Sequence, residues 1–232
     1  KGIKTISIIA GGCSNINVLV HLNNLNNPVI LRIYLQDKNS AYKEQKIASL
    51  LQGKLAVPRF HHVAEGFGYA FAIIEWLPGQ TLRDLLLSNE KININNIMFK
   101  VGEVLGVVSG IKFSSSGFFN ENFAIAGPLS SESFTSFCFD CLEDEKVKKT
   151  IAKEQIKQII KMFIAYENLL PDGTEKNLVH ADFDPANILV TKVNGQIEVT
   201  GILDWEFAFS SSTLCDVATM LRYAHHMPVD YQ

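Results

Sequence analysis

The stretch VHADFDPANILV, residues 179–190, places His180, Asp182 and Asn187 in the order H-x-D-x-x-x-x-N. A carboxylate and a carboxamide at this spacing on one loop suit phosphoryl transfer. That reaction needs a carboxylate to take the proton of an attacking hydroxyl, and an oxygen ligand nearby for the magnesium on the phosphates. Asp182 and Asn187 supply those two groups. A second acid, Asp204 in GILDWE (201–206), stands at a strand end. Between Asn187 and Asp204 lies TKVNGQIEV, in which Asn194-Gly195 is a strong signal for a two-residue hairpin. Folding the strands about that turn pairs Val193 with Gln196 and sets Asn187 opposite Ile202, with Asp204 one pleat farther on the same face. Diagonal neighbours across such a pair lie about 7–8 Å apart at Cα, near enough for their side chains to share one or two magnesium ions. A slip of one residue would break this arrangement. The plainer reading of the same residues is a surface hairpin with polar ends.

The elements that must position these residues change character near Pro78-Gly79. Before it the pattern is mostly strands. Residues 4–10 are β-rich and stop at Gly11-Gly12; 16–22 alternate and end in the turn-formers from Asn23 to Pro28; 29–35 form a third strand. A helix starts near Ser40 and turns Ile47, Leu50 and Leu51 inward, and 69–77 form a continuous apolar strand. After it helices dominate. Thr81-x-x-Asp84 reads as a capping box ahead of Leu85, Leu86 and Leu87. Residues 93–111 carry Ile94, Ile97, Val101, Leu105 and Val108 at helical spacing. A loop over 114–129, two or three helices over 131–169, β character from Val179 to Trp205 and a helix from near Thr213 complete an α+β pattern.

Composition narrows the function classes. The 232 residues are 47% hydrophobic and 19% charged, a globular balance, with a net charge of −3. There is no basic excess to hold a nucleic-acid backbone and no apolar run long enough to span a bilayer. The opening KGIKTISIIAGG lacks the long apolar stretch and cleavage site of a signal peptide. Cys13, Cys138, Cys141 and Cys215 fit reduced thiols of a cytoplasmic protein, the CxxC at 138–141 being two neighbours on one helical face. His61-His62 and His225-His226 lack ligand-spaced partners, and the acidic run from Asp140 to Glu145 reads as a solvated helix face.

The pair HADFDPANILV and GILDWEFA resembles the aminoglycoside phosphotransferase and choline kinase family, over nearly the whole chain from Gly11 to about Met220. The resemblance implies a bilobal protein-kinase-like fold: an antiparallel sheet lobe over 1–77, and a mainly helical lobe over 78–232 whose C-terminal end is expected to be truncated, because the family usually continues with helices that close the substrate site. It implies Asp182 as catalytic base, Asn187 and Asp204 as Mg2+ ligands, and His180 and Asp216 as braces of the catalytic loop. The turn holding Gly12, Ser14 and Asn15 would cover the phosphates. Arg32 stands where a kinase fold puts its phosphate-gripping lysine, with Glu44 as its partner; the swap trades a point charge for a planar fork. Ile74 would line the base pocket, and the Glu75 carbonyl and Leu77 amide would read the adenine edge. Backbone reading leaves ATP and GTP both open as co-substrate. The acceptor is a small hydroxylated molecule: an antibiotic such as an aminoglycoside, or a metabolite such as choline, homoserine or a sugar. A catalytically silent nucleotide-binding module is the other reading. A protein kinase fits less well, because Asp204 is followed by Trp-Glu and no A-P-E follows.

Overall fold

The computed structural model of the chain describes residues 2–9, 14–88, 90–120, 122–126, 129, 131–228 and 231, with side chains omitted at 131–133. Five antiparallel strands form the first layer: β1 (Ile3–Ile9), β2 (Asn15–Leu22), β3 (Val29–Tyr34), β4 (Phe60–Gly66) and β5 (Tyr69–Glu75), in the order β1-β2-β3-β5-β4. One helix, α1 (Asn39–Leu51), packs on this sheet. The period of two in β3 turns Ile30, Arg32 and Tyr34 to the buried face. There Ile30 and Tyr34 join Ala41, Ala70, Ala72 and Ile74 in one apolar cluster. Strand β1 is an edge strand with Ile3, Ile6 and Ile8 exposed. Strand β4 has no counterpart in the sequence reading. Its hairpin turns through Phe67 (φ 54°) and Gly68 (φ 86°), with phenylalanine where a turn signal normally shows asparagine or aspartate.

The second half opens with β6 (Gln80–Thr81) and α2 (Leu82–Leu86), whose start is fixed by Thr81 Oγ1 accepting from the Asp84 N–H at 3.0 Å. Then come α3 (Ile94–Ser109), β7 (Gly117–Phe118), α4 (Ser131–Glu143), α5 (Glu145–Thr150), α6 (Lys153–Ala165), β8 (Asn177–Val179), β9 (Ile188–Val193), β10 (Gln196–Ile202), β11 (Phe209–Ser211) and α7 (Leu214–Leu221). Two small sheets, β10-β9-β6 and β7-β11-β8, sit among the helices. The main core gathers Leu82, Leu85, Ile97, Val101, Leu178, Phe183, Ile188, Ile202 and Trp205. Ile47 and Leu51 of α1 belong to that same core, so α1 ties the two halves together. Among the described residues, no helix is long and apolar enough to cross a membrane.

The β9–β10 hairpin turns at Asn194 (φ 50°) and Gly195 (φ 83°), and Val193 pairs with Gln196 as the sequence suggests. The expected register then fails. It shifts between Val199 and Gly201, where a bulge sets Gly201 opposite Leu189 and Ile202 opposite Ile188. Asn187 therefore meets Leu203, whose N–H donates to the Asn187 carbonyl at 2.8 Å, and not Ile202. A β-carbon on Gly201 would come within 2.9 Å of Leu77 Cδ1 and 3.1 Å of Leu189 Cδ1, so any larger residue there must push these two side-chain ends aside.

Candidate active site

The loop from His180 to Asn187 joins β8 to β9 and is held from behind by Asp216, in the first turn of α7. Asp216 is fully buried. Its Oδ2 accepts the His180 N–H at 2.9 Å and its Oδ1 accepts the Ala181 N–H at 2.8 Å. These bonds pin the chain where Ala181 takes φ 68°, a left-handed conformation that costs an L-residue about 1–2 kcal/mol. Burial raises the Asp216 pKa, and the two backbone donors pull it back. His180 is also fully buried and packs on the Trp205 ring at 4.4 Å. Its Nδ1 accepts the Asp182 N–H at 3.2 Å, so Nε2 carries the hydrogen and donates it to the Leu203 carbonyl at 2.8 Å. Burial lowers the His180 pKa, which keeps the ring in this neutral form.

On the front of the loop, Asp184 Oδ1 accepts from the Ala186 N–H at 2.9 Å and starts the 3-10 turn that carries Asn187. Asn187 Nδ2 donates to the Asp182 carbonyl and to Asp182 Oδ2, both at 2.9 Å. Its amide nitrogen is thus committed to orienting Asp182, and its Oδ1 is left as an oxygen ligand. The other oxygen of Asp182 meets a residue that the sequence reading passed over. Arg222, just beyond α7, donates from Nη2 to Asp182 Oδ1 at 3.1 Å and lies 3.7 Å from Asp184 Oδ2, with its guanidinium over the Tyr223 ring at 4.8 Å.

The sheet half contributes a second charged cluster. Arg32 is buried, with Nη2 2.5 Å from Asp204 Oδ1 and 3.8 Å from Glu206 Oε1, and Nε 3.6 Å from Glu44 Oε2. Tyr34 also donates its hydroxyl hydrogen to Glu44 Oε2. Asn15 Nδ2 donates to Glu206 Oε2 at 3.0 Å. Burial alone would lower the Arg32 pKa, but Glu44, Asp204 and Tyr34 outweigh it and raise it. Burial raises Glu44 above the usual carboxylate range against the pull of Arg32, and raises Glu206 against the Asn15 hydrogen bond. Asp204 leaves the strand at φ 66°, which carries its side chain into the cleft and not along the hairpin face.

Two adjoining cavities share Asn17, Arg32 and Asp204. The first, about 290 Å³, is mostly apolar and is walled by Ile30, Ala48, Phe60 and Leu189. Of the residues expected to hold a nucleotide, Glu44, Ile74, Glu75 and Leu77 line it, with Arg32 at its floor. The second, about 480 Å³, contains Asp182, Asn187, Ser14 and Asn15, together with Arg83, Arg222, Tyr223 and His226. Gly12 lies outside the described residues. His180 and Asp216 line neither cavity. Arg83, Arg222 and Tyr223 have no spacing or motif that marks them in the sequence. His226 belongs to a histidine pair read as bland, yet it lines the second cavity.

The sequence pattern of the phosphotransferase enzyme family matches residues 5–230. The chain belongs to that family. Solved structures similar to this phosphotransferase include a thermostable mutant of aminoglycoside phosphotransferase APH(4)-Ia in ternary complex with ADP and hygromycin B. It has a TM-score of 0.73 at 18% identity, over 97% of this chain and 74% of that one. The GDP and kanamycin complex of APH(2")-IIia gives 0.71 at 18%, over 96% and 73%. An aminoglycoside-3'-phosphotransferase of type VIII gives 0.62 at 14%, over 97% and 78%. At these identities the likeness carries the fold, a bilobal kinase-like α+β architecture. No curated protein sequence matches the chain.

Among the described residues, no three His, Cys, Asp or Glu side chains of this phosphotransferase form a metal-binding group. A carboxamide oxygen on Asn187 and a carboxylate on Asp204 are a hard, oxygen-only pair. They suit Mg2+, which takes one or two protein ligands and completes its shell from phosphates and water.

Proposed function

We propose that this phosphotransferase moves the γ-phosphoryl group of ATP or GTP to a hydroxyl of a small molecule, with Asp182 as the base. The observation that carries the reading is the meeting of two cavities at Asp204 and Arg32, with the Asp182 carboxylate and the Asn187 amide facing that junction from one loop. The base and sugar of the nucleotide occupy the apolar cavity against Ile74 and the 75–77 segment. Residues 1–77 and 78–232 act as two lobes closing on it. Arg32, held by Glu44, meets the phosphates. Asn187 Oδ1 and Asp204 hold Mg2+, which neutralises charge on the phosphates when bound. The acceptor hydroxyl approaches Asp182 from the larger cavity, and Asp182 takes its proton while Asn187 keeps the carboxylate oriented. His180 and Asp216 fix the loop from behind. Most of the rate enhancement is positioning and charge stabilisation, with no covalent enzyme intermediate. The neighbours bound to hygromycin B and kanamycin make an aminoglycoside-like acceptor one option, with choline, homoserine or a sugar as others.

One observation favours a catalytically silent nucleotide-binding module. Asp182 and Asp204 each engage an arginine, Arg222 and Arg32. Magnesium-dependent ADP or GDP release against a panel of hydroxylated acceptors separates the two readings. Acceptor-stimulated release, lowered about 10²–10⁴-fold in Asp182→Asn with nucleotide affinity retained, is the expected result. Nucleotide binding with no turnover on any acceptor would support the silent module, and absence of nucleotide binding would remove both.

A further inference from the structure

The larger cavity holds four carboxylates among its described lining residues: Asp182, Asp184, Asp204 and Glu206. Each already faces an arginine: Asp182 and Asp184 lie 3.1 and 3.7 Å from Arg222 Nη2, and Asp204 and Glu206 lie 2.5 and 3.8 Å from Arg32 Nη2. No carboxylate is left over to receive the ammonium groups of a cationic acceptor. The uncommitted charge in this cavity is positive. Arg83, in α2, lines it with no carboxylate partner among the described residues, and Arg222, just beyond α7, lines it as well. Arg222 is poised rather than locked. Its side chain is 45% exposed, and only Nη2 faces carboxylates, Asp182 Oδ1 at 3.1 Å and Asp184 Oδ2 at 3.7 Å, while its guanidinium lies over the Tyr223 ring. A partly exposed ion pair made through one nitrogen is worth little, so an oxyanion that takes two nitrogens of the fork can displace it.

We propose, on the reading of this site given above, that the acceptor is an anion: a small hydroxylated molecule carrying a carboxylate or phosphate group that Arg83 and Arg222 hold. The planar guanidinium matches either group with paired hydrogen bonds, which a lysine cannot do. Binding has a second effect. When the acceptor's anionic group takes Arg222, Asp182 Oδ1 is released, so the base is uncovered only when a molecule of the right charge is present. A neutral or cationic molecule leaves Arg222 on Asp182. Selection of the acceptor and exposure of the base are then one event.

The test is calorimetric binding of acceptors to the full chain saturated with Mg2+ and AMP-PNP, with turnover measured in parallel. Glycerate presents a carboxylate, glycerol 3-phosphate a phosphate, glucose no charge, and choline and kanamycin positive charge. At least one anionic acceptor is expected to bind roughly tenfold or more tightly than glucose, choline and kanamycin, the size expected of one charge-assisted hydrogen bond or more. The glycerate and glycerol 3-phosphate arms tell carboxylate from phosphate. In R83Q and R222Q that preference is expected to fall by a similar factor, seen as a raised KM for anionic acceptors, and R222K is expected not to restore it. Tighter binding of choline or kanamycin, no binding by any anionic acceptor, or a preference that survives both substitutions overturns the proposal. Failure of the phosphotransferase reading looks different: anion binding with no nucleotide turnover on any acceptor. Turnover on cationic acceptors alone keeps that reading and removes this one.

Discussion

At the residue scale, the loop from His180 to Asn187 shows how a few buried polar groups hold a strained conformation. Asp216 uses one oxygen on each of two adjacent backbone N–H groups, at the point where Ala181 is left-handed. Replacing it by alanine strands two buried donors at about 1–3 kcal/mol each. Asp216→Ala is therefore expected to lose about 3 kcal/mol or more in urea unfolding, a result an ordinary surface acid would not give. His180 gives a pH signature. Its folded pKa lies below the ordinary value of 6.5, so the unfolded chain gains a proton that the folded chain resists. Its contribution to stability is complete above about pH 6.5 and is lost as the pH falls toward the folded value. Between about pH 7.5 and 5.5 the urea midpoint is expected to fall more for the wild type than for His180→Gln. Equal falls would show that the ring takes up its proton as readily in the folded chain as in the unfolded one. His180, Asp182 and Asn187 were legible because the whole loop is local in sequence. Arg222 was not: it lies 40 residues from Asp182 and reaches it only through the course of α7.

At the element scale, the β9–β10 hairpin is half legible. Asn-Gly fixes the turn and the first pairs, since both residues accept positive φ. A bulge leaves no comparable mark, because it depends on what packs beside the strand. Here Leu77 and Leu189 crowd Gly201, and Thr200 becomes the extra residue, bonded to Thr191 Oγ1 at 3.2 Å. The residue count between the turn and Asp204 thus carries one more position than a regular ladder would need. Deleting Thr200 removes only the unpaired residue and leaves Gly201 opposite Leu189 and Ile202 opposite Ile188, so Asp204 is expected to keep its place beside the catalytic loop. Circular dichroism should retain the β signal and magnesium-dependent nucleotide affinity should be kept. Lost affinity would mean that the bulge itself, and not the pairing after it, aims Asp204. The missing β4 has a related cause: paired histidines and a Phe-Gly turn give neither clean alternation nor a recognised turn.

At the scale of the whole molecule, the change of pattern at Pro78-Gly79 revealed two halves, and the contacts that join them came only with the structure. Arg32 reaches across to Asp204 and Glu206, and Asn15 reaches Glu206 over a sequence separation of 191. Such contacts follow from assembly and have no local signal. A double-mutant cycle on Asn15→Ala and Glu206→Ala is expected to show a coupling of about 0.5–3 kcal/mol, as for buried neighbours sharing a network. Additive losses would mean that the hydrogen bond does not tie the halves. The outer edge of the five-stranded sheet behaves differently. Strand β1 has a neighbour on one side only, and its isoleucines at 3, 6 and 8 are between 58% and 76% exposed. A row of open backbone groups flanked by β-branched side chains is a template on which another strand can be laid down. In a concentrated solution the protein's shelf life is then set at this margin: turbidity should develop while the cleft is still intact.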